Sequence, residues 1–148
     1  MPMRQIVFMS ITSGTVAALA MMPFGFAFRT LGLRVGHYGP KFASLFVVDP
    51  GPLILFIQHI VLGWVSALPL VALLLLRRNR LAPAVLGAVY GVGYYIAINS
   101  IALPLYFGDN LPWKLGVGTV LPSLVVHMVF GVVVAMMCSR ASHVRNDT

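Results

Sequence analysis

Long apolar runs alternate along the chain with short polar stretches. Four runs stand out, at about residues 6–28, 53–76, 81–105 and 115–138. Each reaches the length of about 20 residues that an α-helix needs to cross the hydrocarbon core of a bilayer. The pattern predicts an all-α protein: one membrane domain over 1–148, built as a bundle of four transmembrane helices. Pro83 falls in the first turn of the third run, where an N–H would be unpaired anyway. Pro23 predicts a bend in the first run, because the ladder loses a donor there. Ala18-Leu19-Ala20 resembles a signal-peptidase site, but the run exceeds a usual signal core and reads as a retained helix.

The stretch from Arg29 to Gly51 breaks the pattern. It carries Arg29, Arg34, His37, Lys41 and Asp49 among several glycines and prolines, yet also Phe42, Leu45, Phe46, Val47 and Val48. That mixture predicts an interfacial or re-entrant segment, with an irregular loop that buries a few apolar side chains as the alternative.

Composition narrows the solvent to lipid. Hydrophobic residues make up 59% and charged residues 9%, with mean hydropathy +0.95. Soluble domains carry about 25% charged residues, so this chain has too few to coat a water-facing surface. The net charge of +7 would suggest nucleic acid in a soluble protein. Here the cations flank apolar runs, where they set orientation and meet anionic headgroups, so membrane lipids are the expected partners and nucleic acid is not. Cys138 is the single cysteine, which excludes an intrachain disulfide and a cysteine-based metal site and fits a small packing residue.

With four spans, Arg4, Arg77, Arg78, Arg80, Arg140 and Arg145 share one side, and Arg29, Arg34, Lys41 and Lys114 the other. Six against four, with three arginines in one short loop, places both termini in the cytoplasm. In lipid, helices associate by close packing and polar contacts, since apolar side chains gain little by leaving one apolar surround for another. Small residues four apart mark the expected contact faces: Gly14/Ala18, Ala84/Ala88, Gly87/Gly91 and Gly131/Ala135.

Polar side chains inside spans are the best pointers to function. The second run holds Gln58, His59, Trp64 and Ser66, the third Asn99 and Ser100, the fourth Ser123 and His127. Gln58, His59, Asn99 and His127 are the candidates for ligand or proton handling, with His59 and His127 expected to face the interior and converge near Asn99. Pro122, one turn before His127, would free a carbonyl for a neighbour. Two histidines on different helices could ligate a haem b iron, relay protons or hydrogen-bond a quinone or a lipid headgroup. Alternatively each bonds a backbone carbonyl and only fixes packing. Two histidines without a third ligand make a poor metal site. No Asp, Glu, Lys or Arg lies in the core of a span, and the serines at 10, 13, 66, 100 and 123 lack an evident neighbouring base, so no enzyme activity is expected. No cofactor is expected either, haem b or quinone being the alternative.

The connection from Pro104 to Lys114 contains Gly108-Asp109-Asn110, a turn signal. Tyr106, Trp113 and Lys114 suit the headgroup region as interface anchors; a sharper reading makes this connection a cap over the His59, Asn99 and His127 cluster. The order of His59, Pro104-Leu105, Leu111-Pro112-Trp113 and His127 resembles the YagU-like proteins of the bacterial inner membrane, over the second half of the chain and with different spacing between the elements. The resemblance implies a bacterial inner-membrane location and carries over Trp113, His59 and His127. Together these features predict a small membrane protein with a polar intramembrane site. It would act in solute or proton handling or as a subunit of a larger membrane complex, with a homo-oligomer or another membrane protein as partner; a redox subunit that binds haem or quinone is the alternative.

The orientation is checked by single cysteines at Asn79 and Asn110. An impermeant thiol reagent applied to intact cells is expected to label position 110 and leave position 79 unmodified.

Overall fold

A computed structural model describes residues 3–76 and 82–146. Arg77, Arg78, Asn79, Arg80 and Leu81, and with them the main orientation signal, lie outside the described residues, as do Asp147 and Thr148. Four helices are long and apolar enough to cross a membrane, and they form an all-α bundle. The first is α1 (Met3–Thr30) and the second α3 (Pro52–Leu76), separated by the short α2 (Tyr38–Ala43). The third span, Pro83–Phe107, has three parts: α4 (Pro83–Tyr94), a π-helical stretch (Tyr95–Ala102) and α5 (Leu103–Phe107). A 3₁₀ turn (Pro112–Lys114) leads into α6 (Val117–Asn146).

These bounds adjust the expected spans. The first begins earlier and ends later than 6–28, because Gly32 sets its end. Gly32 has φ +74; its N–H bonds Arg29 O and that of Leu33 bonds Phe28 O, the paired closure of a left-handed helix cap. Gly108 (φ +68) closes α5 where the turn was expected, with Asp109 N–H on Pro104 O. The last helix starts later than 115, after Gly116 (φ +90), and continues through the polar tail to Asn146. Large apolar side chains such as Phe8, Val16, Val65, Val89 and Leu121 are exposed on the outside of the bundle, as lipid contact requires. The chain is thus a multi-pass membrane protein.

The helix α6 packs against α1, α3 and α4. Its closest approach is to α4, where a Cβ on Gly87 would strike the backbone of Gly131, and one on Gly91 the carbonyl of His127. Gly14 and Gly63 bring α1 and α3 together in the same way. Of the expected small-residue pairs, Gly87/Gly91 and Gly14/Ala18 do face a neighbour, whereas Ala84 is exposed. Around these contacts Ala17, Ala67, Leu70, Val71, Phe130, Val134, Ala135 and Cys138 form a dry core. That core fills the half of the bundle nearest the termini. Ser10 and Ser13 return their hydroxyls to Ile6 O (2.8 Å) and Met9 O (2.6 Å), so they enter it without unmet polarity.

The glycine contacts generate a paired expectation. Gly131→Ala forces backbone against backbone, where overpacking costs about 1–3 kcal/mol. At Gly93 a Cβ meets nothing within 4 Å. Unfolding in mixed micelles titrated with a denaturing detergent is expected to show Gly131→Ala destabilised and Gly93→Ala at least as stable as the parent.

Candidate functional site

Toward the other end the helices separate. Between α1, α3, the third span and α6 lies a cavity of about 670 Å³. Its walls include Leu55, Leu62, Ile98, Val126 and Phe130, and its polar lining includes Gln58, His59, Asn99 and His127. All four candidate residues of the spans therefore border one space.

His127 is the best-defined group. Its Nδ1 lies 2.6 Å from Ser123 O, a carbonyl that can only accept, so the proton sits on Nδ1. Nε2 is then an acceptor, and Asn99 donates to it from Nδ2 at 2.9 Å. The expected convergence of His127 on Asn99 is thus met directly. The ring is also stacked on Tyr94, with centroids 5.8 Å apart, and tilted against Tyr95 at 5.7 Å. The carbonyl it uses, Ser123 O, lies one turn earlier on its own helix and is distinct from Gly118 O, the one a proline at 122 releases.

His59 behaves differently. Its Nε2 lies 3.0 Å from Ala18 O, so it donates there and leaves a lone pair on Nδ1 with no hydrogen-bond partner among the described residues. It shares the cavity with His127, but no hydrogen bond joins the two rings or links His59 to Asn99. Gln58 donates to Gly39 O at 2.9 Å and so ties the second span to the first connection. Its role in the structure is to anchor that loop.

Three groups at the site were not singled out from the sequence. Tyr94 shares a hydrogen bond with Ser66 Oγ at 2.7 Å, and Tyr90 donates to Ser66 O at 2.5 Å, joining the second and third spans. Tyr95, 4% exposed, also lines the cavity, and its buried hydroxyl has no hydrogen-bond partner among the described residues. Aromatic residues in a span read as packing or anchors, and nothing in their spacing marked these. The π-helical stretch that presents Tyr95 and Asn99 is the third. Leu103 N–H reaches back to Ile98 O, five residues, just before Pro104 interrupts the ladder. Such adjustments re-satisfy backbone groups near a proline in membrane helices, and π-turns recur at functional sites.

The cap comes from the first connection. Residues 34–40 line the cavity and fold over its end. Lys41 Nζ contacts both carboxylate oxygens of Asp109 at 2.6 Å, His37 Nε2 lies 3.5 Å from Asp109 Oδ2, and Tyr38 stacks on Phe107 with centroids 5.9 Å apart. The segment 29–51 is therefore a clasped loop with one short helix. Trp113 is 56% exposed and borders a separate shallow groove with Val117 and Leu121, so it does not cap the cluster; Pro112 and Leu115 reach the cavity instead. Tyr106 and Lys114 are likewise exposed at this end.

Compared with known proteins, the chain matches no family model, no curated protein and no solved structure. The geometry alone carries the functional argument.

The clasp has a pH signature. The hydrogen bond from Lys41 holds the Asp109 carboxyl below its ordinary value of 3.8, with partial burial opposing and the charges of Lys41 and His37 assisting. A carboxylate whose pKa falls on docking contributes fully above its free value and loses that contribution as pH drops through the lowered one. A nitroxide at the exposed position Phe46 is expected to keep constant mobility from neutral pH down to about 3.8 and to loosen below it. Asp109→Asn is expected to be loose already at neutral pH.

Proposed function

We propose that the protein binds a small amphipathic molecule between its transmembrane helices, and serves solute handling or acts as the ligand-holding subunit of a larger membrane complex. The observation that carries this reading is the cavity: its volume, about 670 Å³, lies within the range of about 300–1,000 Å³ typical of ligand sites, and its wall is apolar with a few convergent polar groups. Those groups are His59 Nδ1 as an acceptor and the Asn99–His127 pair. An apolar body would replace lipid or water against the walls, and one polar end would meet these atoms. The reading is one of binding rather than catalysis, since the two hydrogen bonds of His127 already occupy both its nitrogens.

The same engagement weighs against haem b. Axial ligation by His127 would break its bond to Asn99 or to Ser123 O. A quinone is the better second reading: the second N–H of Asn99, beyond the one given to His127, can donate to a quinone carbonyl, and an isoprenoid tail suits the apolar wall. The bacterial inner membrane is the proposed location, on the YagU-like resemblance, and the arginines at 77, 78 and 80 favour cytoplasmic termini. Membrane lipids surround the bundle, and a second copy or another membrane protein would pack on its exposed apolar faces.

The test is photolabelling in zwitterionic nanodiscs with a long-chain alcohol that bears a diazirine. Adducts are expected on cavity residues such as Val126 and Phe130 in preference to the outward Val89 and Leu121. Ile98→Trp, which fills the cavity, should remove that preference. Even labelling of inner and outer residues, unchanged by Ile98→Trp, would defeat the reading. A redox difference spectrum of the protein with added quinone addresses the second reading.

A further inference from the structure

Arg29 lies in the last turn of α1 and Arg34 follows in the connection; both are exposed residues that also line the cavity. Neither has an ion pair or a hydrogen bond among the described residues. The described carboxylates are Asp49 and Asp109. Neither borders the cavity, and Asp109 is already held by Lys41 and His37. The space therefore carries two fixed positive charges and no negative one.

Arginines near a helix end commonly trail out to headgroups. Arg29 and Arg34 are both exposed, and Arg29 in addition lies against the cap loop. The backbone at Gly36 lies against its guanidinium: a Cβ built at Gly36 would stand 2.9 Å from Arg29 Nη2, and the φ of +74 at that position also favours glycine. The cap loop thus leaves room for the guanidinium where a side chain would displace it. Lys114 is exposed at the same end but does not border the cavity, and Lys41 is neutralised by Asp109. Charge at the cavity mouth is accordingly a property of Arg29 and Arg34.

We infer that the ligand is an anionic amphipath: an apolar chain that lies against Leu62, Ile98 and Val126, and a carboxylate or phosphate head held by Arg29 and Arg34. This rests on the cavity being a binding site, as proposed above. A neutral amphipath would offer the two guanidiniums no counter-charge. A free small anion would leave the apolar wall with nothing to cover it. Only a molecule with both parts answers both features, and the forked donors of guanidinium suit planar carboxylate and tetrahedral phosphate alike.

The experiment compares three probes in phosphatidylcholine nanodiscs at alkaline pH. They are a diazirine fatty acid, the alcohol of the same chain length, and inorganic phosphate as a competitor. Charge-assisted hydrogen bonds predict that the acid labels the cavity at a concentration roughly ten-fold lower than the alcohol. Arg29→Gln with Arg34→Gln is expected to bring the ratio of acid to alcohol close to one, and Arg29→Lys with Arg34→Lys to retain most of it. Equal labelling by acid and alcohol in the parent protein overturns this inference while leaving the cavity reading intact. Absence of cavity labelling by either probe overturns the cavity reading itself. Competition by inorganic phosphate as effective as that of unlabelled fatty acid assigns the arginines to free anions and overturns the amphipath.

Discussion

The approach of α4 to α6 at Gly87–Gly131 and Gly91–His127 is the contact on which the rest of the bundle depends. In lipid, apolar side chains offer little net drive for association, so helices must touch closely enough for dispersion between backbones. Glycine permits this and other residues do not. The same approach fixes the site. With Gly91 against the carbonyl of His127, the turns that follow on the third span bring Tyr94, Tyr95 and Asn99 beside the imidazole. Packing at one level of the bundle therefore determines hydrogen bonding one or two turns above.

Unmet polarity is expensive in hydrocarbon, and the spans show how most of it is settled. Ser10, Ser13 and Thr15 bond carbonyls of their own helix, Trp64 donates to Thr15 Oγ1 at 2.7 Å, and the Tyr90, Tyr94 and Ser66 group closes on itself. Against that background the exceptions carry information. His59 keeps a free lone pair, Tyr95 a free hydroxyl, and Arg29 and Arg34 their full charge, and all four border the same space. A structural role accounts for the settled groups; the two arginines also suit the headgroup region, and the cavity gives all four residues one setting.

Much of this was legible in the chain. Four apolar runs gave the number and approximate limits of the spans, because helix length in lipid is set by bilayer thickness. The polar residues Gln58, His59, Asn99 and His127 were found by rarity alone, and all of them reach the cavity. What stayed hidden was direction. Sequence could not tell that His127 would pair with Asn99 while His59 turned to Ala18 O across the contact of the first two spans; Asn99 is presented by the π-helical stretch, and its wider turn leaves no mark in the apolar pattern. The cover of the site was less legible. Trp113 is the conspicuous residue of its loop, but the connection that covers the site is the glycine-rich one, held by an ion pair between Lys41 and Asp109, 68 positions apart.

The position of the cavity follows from the distribution of small and large residues. Near the termini Gly14, Ala17, Ala67, Gly87, Gly131 and Ala135 allow four helices to close without space. Toward the other end the third span carries Tyr94 and Tyr95 and then widens into the π-helical stretch, while Pro104 removes a further backbone donor. Helices that meet tightly at one level and carry bulky rings at the next must diverge above it. The divergence needs a lid that does not depend on apolar packing, and the Lys41–Asp109 clasp provides one, since an ion pair can form at the bundle end where water is near. A tight floor, a splayed upper half and a polar latch form a single mechanical sequence. It leaves Arg29 and Arg34 at the opening, with charge that no described residue neutralises.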